Sequence, residues 1–253
     1  AEHRDPGKPN PKNAEATITA VERGVNFLKN RECSAICTMP ISKSILKDGA
    51  NFSFPGHTEY LAYLDGKNSY GMMLVNKYLK VVPATIHIPI KDITKYLNAE
   101  LIEKTIKTTH QELTNRFSIS NPIIWIAGLN PHAGEAGTIG DEEKKFIIPV
   151  IKKLELEGYN LVGPISADTM FYRKKRLKFD AAICMYHDQA LIPIKTLDFH
   201  SSVNLTIGLS FIRTSPDHGT AFDIAGKNLA NPTSTIEAIK LAWKLAKKEK
   251  KDR

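Results

Sequence analysis

The sequence is poor in cysteine and tryptophan, with three of the first and two of the second in 253 residues. Three cysteines cannot pair into a disulfide framework, and Cys33 and Cys37 lack the second pair that a zinc knuckle needs. All three sit in or beside apolar runs, so buried, reduced thiols of a cytoplasmic protein are expected. No run of eighteen apolar residues is present, and no membrane-spanning helix or membrane partner is expected. The opening segment, AEHRDPGKPNPKN, is polar and proline-rich, without the apolar core of a signal peptide, so export is not expected. It starts on Ala1 rather than Met, as a fragment or a processed product does.

Acidic residues are the scarcer charge, 27 against 35 basic ones, for a net charge of +8. Much of the excess lies at 174–178 and in the tail at 244–253. The tail continues an amphipathic pattern through Ile236, Ile239, Leu241, Ala242 and Leu245, so its lysines should form a solvated helix face with a frayed end. No interleaving of aromatic and basic residues accompanies them, and nucleic acid is not an expected partner. Attraction of small phosphorylated anions accounts better for the charge.

A chain of this length can bury a sizeable core in one or two domains. Apolar runs alternate with helical patterns, which predicts a largely parallel α/β architecture. Helices are predicted over 14–29, from about His57, within 97–117, and over 142–157 and 233–247. Strands are predicted over 35–39, 72–75, 80–87, 123–128, 161–162, 181–185 and 203–209, the third ending on His87.

Residues 180–233 carry the densest chemistry. A short apolar run ends in Tyr186-His187-Asp188-Gln189, and Lys195, Asn204 and Arg213 then follow at intervals of nine. Lys195 and Arg213 could clamp a phosphate or carboxylate, Arg213 with two-pronged geometry. Arg213 adjoins the apolar run 205–212, where an unpaired charge is costly, and this disfavours a mere solubility role. Histidines recur where strands end, at His87, His132 and His187, and His57 follows a turn. Ligands of open α/β sheets sit outside the carboxyl ends of strands, and neutral imidazoles there suit a divalent metal. Each histidine could equally cap a helix or satisfy a loop carbonyl, and the spacings of 45 and 55 match no local metal motif. The loop GLNPHAGEAGTIGDEE, at 128–143, could cradle a phosphate with backbone amides ahead of a helix from Asp141, although it matches neither a P-loop nor GxGxxG.

The loop HGTAFDIAGKNLANPTST closely resembles the loop that holds the adenosine half of NAD in isopropylmalate and isocitrate dehydrogenases. From about Gly7 to its end the chain is similar to a cousin of that group, the 4-hydroxythreonine-4-phosphate dehydrogenase family of vitamin B6 biosynthesis. The resemblance rests on FPGHTEYLA, the strand ending in His87, GLNPHAGEAGTIGDEE, GPISADTMF, MYHDQALIPIK and VNLTIGLSFIRTSPDHGTAFDIAG, in that order. Two departures stand out. The family's preceding Gly/Pro-rich N-terminal segment is not in this sequence, and relatives often have other residues at Ala136 and Thr138.

The resemblance implies an isopropylmalate-dehydrogenase-like α/β/α fold, one dehydrogenase unit over 1–253 with its site in a cleft between two interleaved subdomains. It places metal ligands at His87, His132 and His187, for zinc, cobalt or magnesium. Substrate-binding positions fall on His57, Thr58, Lys195, Asn204 and Arg213, and cofactor positions on Gly219, Asp223, Ile224 and Asn231. An acidic residue such as Asp223 suits a ribose diol and favours NAD over NADP. The implied reaction oxidises 4-phosphooxy-L-threonine to a 3-keto acid that loses carbon dioxide. Asp168 and Lys195 are candidates for the general base, which the sequence does not identify. A homodimer with a shared active site is also implied, His187 crossing the interface. The alternatives are a related dehydrogenase acting on another phosphorylated hydroxy acid or a dihydrodiol, and an inactive ligand-binding relative.

Overall fold

The apolar segments assemble into one sheet of eight strands. A computed structural model of the chain describes residues 5–249. In chain order the strands are β1 (Ala35–Cys37), β2 (Gly71–Val75), β3 (Lys80–Pro83), β4 (Ile124–Ala127), β5 (Leu161–Ile165), β6 (Ala181–Cys184), β7 (Val203–Ile207) and β8 (Ile212–Pro216). Across the sheet they lie in the order β1-β8-β7-β2-β3-β6-β4-β5. The helices are α1 (Ala14–Lys29), α2 (Lys43–Ala50), α3 (His57–Asp65), α4 (Ile93–Tyr96), α5 (Ala99–Asn115), α6 (Ile148–Leu156), α7 (Arg173–Arg176), α8 (His187–Leu197) and α9 (Thr233–Glu249).

The mixed α/β class is as expected, but the sheet is not largely parallel. The pairings of β1 with β8, β3 with β6, β6 with β4 and β4 with β5 are parallel. Those of β8 with β7, β7 with β2 and β2 with β3 are antiparallel. Short connections decide this, because only a long crossover returns a chain parallel to itself. Between β2 and β3 the Asn76 side chain accepts from the amides of Tyr78 and Leu79 at 2.9 and 3.0 Å, closing a hairpin. Between β7 and β8 the chain turns at Gly208, whose φ of 87° is left-handed and where a Cβ would strike the Ser69 carbonyl.

Two apolar layers flank the sheet. On one face α5 buries Ile102, Ile106 and Leu113 at helical spacing against Met73, Val82, Ile126 and Ile183. Each such aliphatic side chain, once fully buried, contributes about 1.5–3 kcal/mol. On the other face α8 lays Ala190, Leu191 and Ile194 over Leu74, Val81, Ala182 and Cys184. A buried ion network closes one end of the first layer. Arg116 donates to Glu112 Oε1 at 3.0 Å, to Glu249 Oε1 at 3.2 Å and to the Leu209 carbonyl at 2.7 Å, which joins α5, α9 and the β7–β8 connection.

Several expectations change in the structure. The third predicted strand stops at Pro83, and His87 stands in the following loop, four residues beyond the end. The helix predicted over 142–157 opens with a wide π-helical turn at Glu143–Ile147 before α6. Pro149 explains the break, since it has no N–H to offer the preceding turn. β8, α2 and α8 were not expected. In α9 the buried stripe is Ser234, Ala238, Ala242, Leu245 and Ala246, while Ile236 and Ile239 are exposed. Small residues let this helix approach β8 closely enough for the Thr214 hydroxyl to reach the Ala238 carbonyl at 2.9 Å. The expected frayed end at 250–253 lies outside the described residues. All three cysteines are free, but only Cys184 is buried, Cys37 is half-buried and Cys33 is exposed on the connection after α1. No described helix is long and apolar enough to cross a membrane.

Candidate active site

Alternation along β7 and β8 sorts their residues onto two faces. Thr206 lies opposite Arg213 and Asn204 opposite Ser215, so Asn204, Thr206, Arg213 and Ser215 share one face. The carbon-rich partners Val203, Leu205 and Ile212 turn to the other. Arg213 is only 3% exposed. Its Nε and Nη2 donate to Thr38 Oγ1 at 3.0 and 2.7 Å, and its Nη1 donates to Thr206 Oγ1 at 2.9 Å. Among the described residues no carboxylate forms an ion pair with it. Burial lowers its pKa to about 10. A guanidinium desolvated this far and held only by hydroxyls is a cation prepared for an anion.

The other expected substrate residues gather around it. Asn204 has a buried Oδ1 with no hydrogen-bond partner, and so does His57 Nε2. Lys195, near the end of α8, forms an ion pair with Asp217 at 3.0 Å. Asp217 continues the alternation of Arg213 and Ser215, and its amide donates to Ser234 Oγ at 3.0 Å. His57 and Thr58 form the first turn of α3, where free amides favour an anion. Phe52, Phe54 and Tyr60 pack behind that turn with ring centroids 5.0–5.4 Å apart. Orphaned buried polar atoms are rare in native interiors, and here they point to a polar ligand.

His57 is held neutral. Burial first, and the Arg213 charge second, lower its pKa from 6.5 to about 4. A histidine whose folded pKa lies below its unfolded value withholds a proton that the unfolded chain takes up. Its contribution is therefore complete above pH 6.5 and is lost as pH falls towards 4, by about 3 kcal/mol in all. Wild type should lose melting temperature across that window more steeply than His57→Gln. Parallel slopes for the two proteins in a pH series of thermal melts would contradict this.

The metal-type histidines occupy another edge. Strand order places β3, β6 and β4 side by side and parallel, so the loops after them are neighbours and carry His87, His187 and His132 in turn. Gln189 ties two of these loops together, accepting from the Met185 amide at 2.7 Å and donating to the Gly128 carbonyl at 2.8 Å. The rings of His87 and His187 face each other with centroids 5.9 Å apart. His187 Nδ1 lies 2.7 Å from Asp188 Oδ1, which leaves Nε2 for a ligand. Burial, then Lys43 and His187, keep the His87 pKa below its ordinary value, so its ring is a neutral donor. His132 is not grouped with them. It sits in the left-handed run of 132–136 near Asp168, and among the described residues no three His, Cys, Asp or Glu are placed to hold a metal.

The loop at 128–143 already holds an anion of the protein's own. Glu143 accepts from the Asn130 amide at 2.8 Å and from its Nδ2 at 2.9 Å, and a Cβ on Gly134 would come within 2.6 Å of its carboxylate. The reading of this loop as a phosphate cradle is therefore corrected. The expected cofactor loop instead borders a cleft of about 590 Å³ between 218–230 and 39–46, lined by Gly219 and Ile224 with apolar Met39, Pro40 and Ile41. Asp223 is exposed beside it. Asn231 caps α9, its Oδ1 accepting from the Thr233 amide at 3.0 Å, and its Nδ2 lies 3.3 Å from His200 Nδ1.

Sequence reasoning missed the residues that hold the others. Thr206 could have been found by alternation from Asn204, and Asp217 by alternation from Arg213. Thr38 carries no local signal, since only the pairing of β1 with β8 brings it to the guanidinium. Lys43 and Glu59 meet over Gly56, where a Cβ would lie 3.2 Å from Glu59 Oε2 and 3.6 Å from Lys43 Nζ. No spacing in the sequence joins those two.

Residues 1–242 match the family model described as pyridoxal phosphate biosynthetic protein PdxA. The chain is 55% identical over 242 residues to a 4-hydroxythreonine-4-phosphate dehydrogenase of Roseobacter denitrificans, covering 95% of this chain and 74% of that protein. A crystal structure of the enzyme of that name from Klebsiella pneumoniae superposes with a TM-score of 0.89 at 37% identity, over 97% of this chain and 74% of the other. A terephthalate 1,2-cis-dihydrodiol dehydrogenase from Burkholderia xenovorans reaches a TM-score of 0.71 at 29% identity, over 96% and 76%. The buried arginine, the histidine loops and the cofactor-type cleft thus sit on a chain that belongs to the PdxA family of pyridoxal phosphate biosynthetic proteins.

Proposed function

We propose that this chain is a 4-hydroxythreonine-4-phosphate dehydrogenase of pyridoxal 5'-phosphate biosynthesis. It oxidises 4-phosphooxy-L-threonine to 2-amino-3-oxo-4-phosphooxybutanoate with NAD or NADP, and that product decarboxylates to 3-amino-2-oxopropyl phosphate. The observation that carries the reading is Arg213, buried without an ion-paired carboxylate among the described residues, on one sheet face with the unpaired Asn204 Oδ1. Such a pair suits a phosphate or carboxylate better than an uncharged diol. The family to which the chain belongs, rather than this pair, favours the phosphorylated substrate over the dihydrodiol of the Burkholderia xenovorans protein, since a terephthalate dihydrodiol carries carboxylates of its own.

Each residue has a definable task in this reading. Arg213 and Lys195 neutralise the anionic groups, with Asp217 holding the Lys195 ammonium in place. Neutral His57 offers one ring nitrogen to the substrate without adding charge. The facing rings of His87 and His187 fit two positions of a divalent metal, zinc, cobalt or magnesium, with the third supplied by His132. When bound, the metal supplies Lewis acidity at the alcohol and ketone oxygen. One chain pairs His87 with His187, and a homodimer that shares its site would bring His132 to them from the second chain. His132, rather than His187, would then cross. Asp168 is the weaker of the two candidate bases, because the Ser166 hydroxyl, 2.5 Å away, is the first of the groups that keep its pKa low. The cleft lined by Gly219 and Ile224 has the size and apolar lining for a nucleotide, and Asp223, between its lining residues Phe222 and Ile224, would supply a carboxylate for a ribose diol.

The test is NADH formation by the purified chain with 4-phosphooxy-L-threonine and added divalent metal, beside a cis-dihydrodiol. Turnover of the phosphorylated substrate alone supports the assignment, and turnover of the diol alone refutes it. Within the active enzyme, Asp223→Asn should raise KM for NAD roughly tenfold, as the loss of about 1.5–3 kcal/mol of charge-assisted hydrogen bonding requires. A constant KM for NAD with a raised KM for the substrate would remove Asp223 from the cofactor cleft.

A further inference from the structure

A second cavity of about 610 Å³ opens on the opposite face of the sheet from Arg213. Val75, Lys80 and Val203 line it, whereas their neighbours Leu74, Val81 and Asn204 point to the other side. It lies between the β2–β3 hairpin and α9, at the start of β3 rather than at the end that leads to His87. The site described above therefore does not extend into it.

Its charges do not balance. Four lysines and two acids line the cavity. Lys240 pairs with Glu237 at 2.8 Å and Lys77 with Asp198 at 4.0 Å, which accounts for both acids. Lys80 and Lys244 remain. Lys80 Nζ donates to the Asp180 carbonyl at 3.2 Å, a neutral acceptor, and Lys244 has no partner among the described residues. Burial is the main cause that lowers the Lys80 pKa; the Asp180 charge offsets part of this, and the Lys244 and Lys248 charges add to the lowering, so Lys80 stands near one carboxylate and two other ammoniums. The Ser201 hydroxyl, also in the lining, is buried with no hydrogen-bond partner. Phe117 and Ile119 form an apolar wall, and the Lys80 ammonium stands 5.3 Å from the centre of the Phe117 ring.

An excess of lysines over acids and an orphaned hydroxyl beside an aromatic wall suit a small anion with an apolar body. We infer that this cavity is a second binding site, for a phosphate monoester whose phosphate lies between Lys80, Lys244 and Ser201 and whose organic part rests on Phe117 and Ile119. An inorganic anion would leave the wall and much of the volume unused, so the site selects an organic phosphate.

Phenyl phosphate is the probe, titrated calorimetrically into the full chain carrying Lys195→Met so that binding near Arg213 is weakened. Binding should remain in that background, and Lys244→Gln added to it should weaken the affinity at least tenfold. Lys244 is exposed, so this change does not threaten the fold, which thermal melting checks. Lys80→Met, which keeps the apolar stem, should act in the same direction. Inorganic phosphate should bind at least tenfold more weakly than phenyl phosphate. No binding of phenyl phosphate, or an affinity that Lys244→Gln changes less than tenfold, overturns the site. Equal affinity for the two probes overturns its preference for an organic phosphate.

Discussion

Arg213→Met should lower kcat/KM for the phosphorylated substrate by roughly a hundredfold or more, while the melting temperature stays level or rises. The two effects separate because the guanidinium does different things to the free and liganded protein. In the free protein it is a desolvated charge held by the hydroxyls of Thr38 and Thr206, with no carboxylate ion-paired to it among the described residues. Replacing a buried charge by an apolar chain of similar volume is often neutral or stabilising. In the liganded protein the same cation meets a phosphate, and hydrogen bonds to charged groups contribute about 1.5–3 kcal/mol each. Two of them correspond to at least a hundredfold in rate. Arg213→Lys should recover part of the loss, since it restores charge without the fork. Steady-state kinetics beside thermal melts decide the matter. A variant that unfolds early yet turns over normally would make Arg213 a brace for β1, β7 and β8 instead.

The metal site proposed to be shared between subunits gives the second large effect. His132→Ala and His187→Ala should each be inactive and each lose bound divalent ion. Mixed under conditions of subunit exchange, they should recover roughly a quarter of wild-type activity. Random exchange makes half the dimers hybrid, and a two-fold dimer that shares ligands then has one intact site and one lacking both histidines. His87→Ala mixed with His187→Ala should recover nothing, because those rings face each other within one chain. No recovery with the first pair, despite demonstrated exchange, would leave a self-contained site as the better description.

How far the sequence could be read varies with how local the cause is. The limits of α1 and the start of α3 at His57 were legible because helical periodicity and turn residues act over a few positions. β8 was not, because IRTSP carries a charge and two hydroxyls that only become reasonable once the strand is central. The stripe of α9 was misread for a related reason. Its large residues Ile236 and Ile239 promised the buried face, but contact with β8 selected the small ones. In the site, residues with motif signatures were named from the sequence, while Thr38, Asp217 and Gln189 were not assigned roles. Their tasks come from strand pairing and from the packing of α8, relations over tens to hundreds of positions.

The pairing of β1 with β8 has a consequence for how the molecule is made. Ala35 meets Ile212, 177 residues later, so among the described strands β1 finds its partner in β8, far along the chain. Contacts of such high sequence separation delay folding, because the chain between them must be closed before they reward it. On the ribosome β1 must wait for the segment through β8 to emerge, while the local hairpin of β2 and β3 can form early. Thr38, which follows β1, cannot hold Arg213 until then. The face that carries Arg213 is thus complete only once β8 has emerged, and β1 lacks that partner in the interval.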